Sequence, residues 1–274
     1  MKNIKLVASD LDRTLLNQVS EVGEYTQDIL NKIMDKDILF VPCSARTFKF
    51  IPSWILNNIK IKYIVTSNGS VIYNNHTHEQ ILVHAISVEN SIKLLEDIEK
   101  INPYWTIDAK GELFVSRKII EDHSSINISD EFYKEICTNR VIVDDFHDVF
   151  ETSTDVARKI HFITKDDEAK SILIDALKKF NFIYVTSSHP INIEITDPLA
   201  TKGNALKYIM DKEKISKSDA VAFGDNDNDI EMLRNVEYGI AVANATDNLK
   251  QVATKIIGHH SEEALAKFLE SNLL

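Results

Sequence analysis

Asp10 and Asp12 stand two positions apart in "LVASDLDRTLL", residues 6–16, directly after a short apolar run. Two carboxylates at that spacing, just past a strand, point the same way if the backbone stays extended. A single D-x-D is more commonly a helix cap or a turn, so other segments must decide. Three of them carry groups suited to phosphate chemistry. "PCSART" places the hydroxyl of Ser44 just past a second apolar run. Taken alone, such a serine is usually a local backbone hydrogen bonder. "LATKGNAL" puts Lys202 and Gly203 at a helix start, where backbone N–H groups and the helix dipole favour anions. A lone lysine is usually a solvated surface residue. "AFGDNDNDIEML" is harder to dismiss, because Asp225, Asp227 and Asp229 crowd into five residues between a strand and a helix. Like charges packed together cost stability unless a cation or a lysine compensates, which points to a metal site.

A calcium loop of the D-x-D-x-D kind is excluded. Counted from Asp225, position 6 is Ile230 where glycine is needed, and position 12 is Val236 rather than glutamate. Counted from Asp10, position 12 is Glu21 but position 6 is Leu15, and a strand precedes instead of a helix. The chain has only 7 glycines, and Gly69, Gly203 and Gly224 fall in these same strand-end segments. Such sparing use suggests glycine is kept where backbone turns sharply or approaches a ligand.

The elements that must hold these groups follow from hydrophobic period. "IKLVAS", "ILFVPC" and "KYIVTS" read as buried strands, separated by a helix "EVGEYTQDILNKIMDK" and a helix "TFKFIPSWILNN". The first helix carries Val22, Tyr25, Ile29, Ile33 and Met34 at helical spacing. The C-terminal third repeats the rhythm: a helix from about Lys202 to Lys212, strand "AVAFG", helix "DIEMLRN", strand "YGIAVAN" and helix "SEEALAKFLESN". Alternating strands and helices predict a parallel sheet covered on both faces. Ligands of such sheets bind beyond the carboxyl ends of the strands, where the four segments would converge. The middle differs, with helices "VENSIKLLEDIEK", "SDEFYKEIC" and "DEAKSILIDALKKF" among short strands "YWTID", "LFVS", "KIHFIT", "FIYVTS" and "INIEIT". We read it as an α+β domain, residues 84–192, inserted into a discontinuous core of residues 1–83 and 193–274.

Composition narrows the partners. The 274 residues carry a net charge of −11 with acids spread along the chain, which disfavours nucleic acid. A phosphorylated small molecule stays open, since one bound cation and one lysine can reverse the local field. Cys43 and Cys137 imply no disulfide framework. The opening "MKNIKLVASD" is unlike a signal peptide, and no apolar run approaches the roughly 20 residues of a membrane span. A cytoplasmic protein is expected, with no membrane or nucleic-acid partner.

Taken in order, "DLDRTLL", "SAR", "TSNGS", "TKGNAL" and "GDNDNDIEML" resemble the haloacid dehalogenase-like hydrolase superfamily, and within it the Cof-type sugar phosphatase branch with an α/β cap. "IAVANATDNLKQVA" also resembles that branch. The resemblance implies a Rossmann-like, doubly wound parallel sheet with the cap inserted. It implies a Mg2+-dependent phosphatase, with Asp10 as nucleophile forming an aspartyl-phosphate and Asp12 as general acid and base. Mg2+ would be held by Asp10, the backbone carbonyl of Asp12 and Asp225, with Asp229 acting through water or by holding Lys202. Ser44 and Lys202 would bind the transferring phosphoryl oxygens, and Asn68 and Asn228 are further candidate phosphate contacts. Arg13 and Ala45 depart from the family, which usually has glycine at both positions. Cap residues set specificity in this branch; His123, His161 and His189 lie there with no role assigned. A phosphomutase and a catalytically idle sugar-phosphate sensor are the alternatives, and Asp12 argues against the sensor.

Overall fold

The computed structural model describes residues 3–126, 128, 133–134, 137–138, 140–152, 154–187 and 191–274. The chain divides into two compact units, Met1–Val83 with Thr201–Leu274, and His84–Ala200. The second unit runs past the boundary expected at 192, because its last strand pairs with the others of that unit.

The first unit begins with β1 (Leu6–Ser9), α1 (Glu24–Met34), β2 (Leu39–Pro42), α2 (Ser53–Asn57), β3 (Tyr63–Thr66), β4 (Val71–Asn74) and β5 (Gln80–Val83). The second unit holds α3 (Val88–Ile98), β6 (Trp105–Ala109), β7 (Glu112–Ser116), α4 (Arg117–Glu121), β8 (Val141–Val143), β9 (Lys159–Ile163), α5 (Asp167–Leu177), β10 (Tyr184–Thr186) and β11 (Asn192–Thr196). The chain then returns with α6 (Lys202–Glu213), β12 (Ala220–Gly224), α7 (Ile230–Arg234), β13 (Tyr238–Ala241), α8 (Asp247–Val252), β14 (Lys255–Ile256) and α9 (Ala264–Leu273). The helix expected over "SDEFYKEIC" falls mostly outside the described residues.

Five strands form the core sheet in the order β14-β13-β12-β1-β2, every neighbouring pair parallel. Alternate side chains feed opposite layers, as strand geometry requires. Val7, Phe40, Val221 and Phe223 pack with Ile29, Ile33, Leu265 and Leu269 of α1 and α9. Leu6, Ala8, Val41, Ala220 and Ala222 pack with Leu206, Ile209, Met232 and Leu249 of α6, α7 and α8. Each of the Val, Leu, Ile, Phe and Met side chains, fully buried, contributes about 1.5–3 kcal/mol, and each alanine methyl about 0.8 kcal/mol. This is the doubly wound α/β arrangement expected from the sequence.

Two local readings change. "TFKFIPSWILNN" is not one helix: Phe48–Phe50 form a single tight turn, and Pro52 caps the separate α2. A proline has no N–H to continue the ladder. "KYIVTS" does form β3, but β3 pairs antiparallel with β4, and β4 with β5, in a small sheet. One parallel bridge, Cys43 to Val65, and a bond from Ser44 N to Val65 O tie β3 to the end of β2.

In the second unit six strands run β10-β11-β9-β6-β7-β8, a sheet that shares no strand with the core. Trp105, Ile107, Ile160, Phe162, Ile193 and Ile195 pack on α3 and α5 through Leu94, Leu95, Leu173 and Leu177. The alternate positions are polar: Thr106 lies opposite His161, and His161 opposite Glu194. Lys159 and Glu194 pair at 2.9 Å.

Candidate active site

β1 ends at Ser9, and Asp10 N donates to Phe223 O at 3.0 Å, so the nucleophile candidate is still tied to β12. The extension then stops. Leu11–Leu15 form a loose helical turn interrupted at Asp12 (ψ 123°) and at Arg13, which is left-handed (φ 62°). The two carboxylates consequently engage different cations. Asp10 Oδ1 accepts from Lys202 Nζ at 2.6 Å, whereas Asp12 accepts from Arg46 Nε at 2.9 Å and Nη2 at 2.5 Å.

Lys202 opens α6, whose N-cap is Thr201. Its ammonium also donates to Asp229 Oδ1 at 2.7 Å, so one buried lysine bridges two buried carboxylates. Asp229 Oδ2 in turn accepts from Asp225 N at 3.0 Å and Asn226 N at 3.2 Å, closing the acidic loop on itself. Gly224 makes this possible, because a Cβ there would lie 2.5 Å from Asp229 Cβ. Asp227, the third acid of "GDNDND", faces away: it accepts from Thr246 Oγ1 at 2.6 Å and Asn248 Nδ2 at 2.9 Å. The "IAVANATDN" segment thus braces the loop from behind.

Carboxylate oxygens of Asp10, Asp225 and Asp229 lie within 4.8 Å of one another. Burial, reinforced by Asp229, Asp225 and Asp12, pushes the Asp10 carboxyl well above the usual range against the pull of Lys202. Burial and then Asp229 push Asp225 up to about 7. For Lys202, burial opposes the charge, but Asp10 and Asp229 outweigh it and raise its pKa. Neighbouring Cys43 is buried, which drives its thiol pKa far up, so it is no competing nucleophile. A cation fits here on one observation: Asp10 Oδ2 is buried with no hydrogen-bond partner among the described residues. Hard oxygen donors in that number suit Mg2+.

The remaining predicted residues also fall in this unit. Ser44 is fully buried and its Oγ accepts from Arg46 N at 3.0 Å, leaving its own O–H to donate. Asn68 N donates to Ser44 O, and Asn228 Nδ2 donates to Asn68 Oδ1 at 3.0 Å. Ser67, Asn68 and Gly69 are three consecutive left-handed residues (φ 51°, 60° and 96°). Gly69 must be glycine on space as well, since a Cβ would lie 2.2 Å from Thr201 O. Of the unassigned histidines, His123 packs against Tyr133 in a tilted ring contact with centroids 3.7 Å apart, and His161 sits on β9. His189 lies outside the described residues. Arg46, to which the sequence assigns no role, is brought to Asp12 by the fold; its only sequence signal is its place in "SAR", two positions after Ser44.

A family model for haloacid dehalogenase-like hydrolases matches residues 7–269. The chain belongs to that family. Among relatives of this hydrolase, a Haemophilus influenzae protein assigned as a phosphatase is 26% identical over 277 residues, covering 97% of each chain. A Bacillus subtilis 5-amino-6-(5-phospho-D-ribitylamino)uracil phosphatase is 25% identical over 270 residues, 97% of this chain and 94% of that one. Among solved structures, a haloacid dehalogenase-like hydrolase from B. subtilis superposes with a TM-score of 0.84 at 22% identity, covering 99% of this chain and 100% of that one. Among the described residues of the hydrolase, no helix is long and apolar enough to cross a membrane.

Proposed function

We propose that this hydrolase is a Mg2+-dependent phosphatase that cleaves a small phosphorylated metabolite, a sugar or polyol phosphate, through an aspartyl-phosphate on Asp10. The observation that carries the reading is the state of Asp10. One oxygen is fixed by Lys202 at 2.6 Å, while the other is buried beside Asp225 with no hydrogen-bond partner among the described residues. Asp10 and Asp225, with Asp229 and the Asp12 carbonyl, are the groups that would hold the metal. Bound there, Mg2+ supplies the positive charge that lets a phosphate dianion approach a carboxylate.

The chain's own groups then divide the work. Asp10 attacks phosphorus, forming an O–P bond as the bond to the leaving oxygen breaks. Asp12 gives that oxygen its proton, then takes one from the water that attacks the phosphoenzyme and frees Asp10. Lys202 and the Ser44 hydroxyl stabilise the phosphoryl oxygens, where one well-placed donor is worth about 3–4 kcal/mol. Asn228 spends a donor on Asn68, and its buried Oδ1 has no partner among the described residues. An open acceptor suits a substrate hydroxyl better than a phosphate oxygen. Selectivity among esters is assigned to the second unit, as the resemblance to the Cof-type branch implies for its cap. The name of the ribitylaminouracil phosphatase supports a polyol phosphate as the substrate class.

The test is phosphate release from p-nitrophenyl phosphate with Mg2+, with Ca2+ and in excess EDTA, followed by a screen of sugar phosphates, nucleotides and phosphorylated cofactors. Mg2+-dependent release and a phosphate-sized mass increase on the Asp10 peptide after acid quench are expected. Full turnover in EDTA would refute the metal assignment. A substrate switch after grafting residues 84–200 from a relative is expected if the second unit selects the ester.

A further inference from the structure

Asp12 has to give a proton in one half of the reaction and take one in the other, so its carboxylate must be held in place. Its own loop does little of this. The side chain is 45% exposed, and it sits between a helical turn and a left-handed Arg13. Among the described residues, its carboxylate takes hydrogen bonds from Arg46 alone.

Arg46 is itself fixed at several points. Its Nη1 donates to Phe50 O at 3.0 Å, its N donates to Ser44 Oγ at 3.0 Å, and its carbonyl accepts from Ser67 N at 2.9 Å. The guanidinium therefore belongs to a braced segment between β2 and β3. Its fork meets both oxygens of Asp12, a planar two-point contact that fixes distance and rotation together. Each carboxylate oxygen has two lone-pair sites, and the fork uses one on each. The remaining sites stay available to exchange a proton.

We propose that Arg46 is the positioning residue for Asp12: it acts on the reaction by holding the acid–base carboxylate, and not by binding phosphate itself. The inference rests on the assignment of Asp12 as general acid and base. Lysine at this position would keep the charge but lose the fork, so Arg46→Lys should recover only part of the function.

The experiment is a double-mutant cycle in the full-length protein with Arg46→Gln, Asp12→Asn and both together. kcat/KM is measured for p-nitrophenyl phosphate, whose leaving group needs little protonation, and for phenyl phosphate, whose leaving group needs more. A positioned acid is worth about 10²–10⁴-fold. Arg46→Gln should lower kcat/KM for phenyl phosphate by about 10²-fold and for p-nitrophenyl phosphate much less, the same pattern as Asp12→Asn. In the Asp12→Asn background, the Arg46 change should add almost nothing, because there is no carboxylate left to place. Melting temperatures check that each variant folds, and Arg46→Lys replaces Arg46→Gln if the latter does not.

Equal losses from Arg46→Gln in the wild-type and Asp12→Asn backgrounds would overturn the proposal, since Arg46 would then act on substrate or on the fold. So would an unchanged Arg46→Gln enzyme beside an impaired Asp12→Asn enzyme. If Asp12→Asn alone leaves both substrates unaffected, the acid–base assignment fails first and takes the inference with it.

Discussion

Lys202 Nζ stands 2.6 Å from Asp10 Oδ1, and neither side chain is more than 7% exposed. The nucleophile candidate is thus kept beside a fixed positive charge inside the protein, where such a charge acts with little screening. The lysine also holds Asp229, so it joins the first strand's carboxylate to the acidic loop after β12.

Asp10→Asn should abolish turnover with the fold intact, because an amide keeps the shape but cannot attack phosphorus. Loss of a nucleophile should lower kcat by more than about 10³-fold. Steady-state rates beside circular dichroism check this. Activity within about tenfold of wild type, or about 1.4 kcal/mol of barrier, would remove Asp10 from the role.

Lys202→Met should destabilise as well as inactivate. It strands two buried carboxylates, and breaking a buried ion pair costs about 3–5 kcal/mol. Denaturant unfolding at neutral pH measures the loss. Lowering the pH should shrink it, since burial already pushes the Asp10 carboxyl well above the usual range and a protonated Asp10 no longer needs a counter-charge.

Metal-free stability should fall as pH rises from about 4 to 7. Asp225 has an ordinary value of 3.8 and a folded value of about 7, raised mainly by burial. Between those values the folded state keeps a proton that the unfolded chain has released, so unfolding is increasingly favoured with pH. Melting curves in EDTA should show this slope, and Asp225→Asn should flatten it. Mg2+ should raise the melting temperature more at pH 8 than at pH 5.5, because a ligand carboxylate must be ionised.

Arg13→Gly should raise stability by about 1 kcal/mol, because it relieves a left-handed backbone at a residue with a Cβ. It also removes a guanidinium 3.8 Å from Asp225 Oδ2. Calorimetric Mg2+ titration should therefore show tighter binding than wild type. Unchanged melting and unchanged Mg2+ affinity together would mean that Arg13 is only a solvated surface group.

Much of the core was legible because it is periodic. β1, β2, β12 and β13 are short apolar runs, and α1 and α9 carry apolar stripes at helical spacing. The reversal after β3 was not legible. Ser67 and Asn68 take left-handed conformations that their residue types only permit, so "VIYN" was not read as the antiparallel β4. The broken helix at Pro52 was written in the chain but outvoted by its apolar neighbours. Within the site, Asp10, Lys202, Asp225 and Asp229 announce themselves by type and spacing. The Arg46–Asp12 fork does not, since it joins residues 34 positions apart through a loop whose path no local pattern sets.

The placing of His84–Ala200 between the two parts of the core has a biosynthetic consequence. Asp10, Ser44 and Arg46 leave the ribosome first, and Lys202, Asp225 and Asp229 follow only after the whole second unit has been made. A nascent chain holds Asp10 and Asp12 without the lysine and the acidic loop that complete the site. β1 meanwhile lacks β12, its parallel neighbour, and keeps an open edge. Early folding of the inserted unit would shorten the effective loop between the two core segments and lower the entropy cost of joining them. The candidate site is therefore incomplete until nearly all of the chain has been synthesised, and its first strand depends on the last third of the chain for protection.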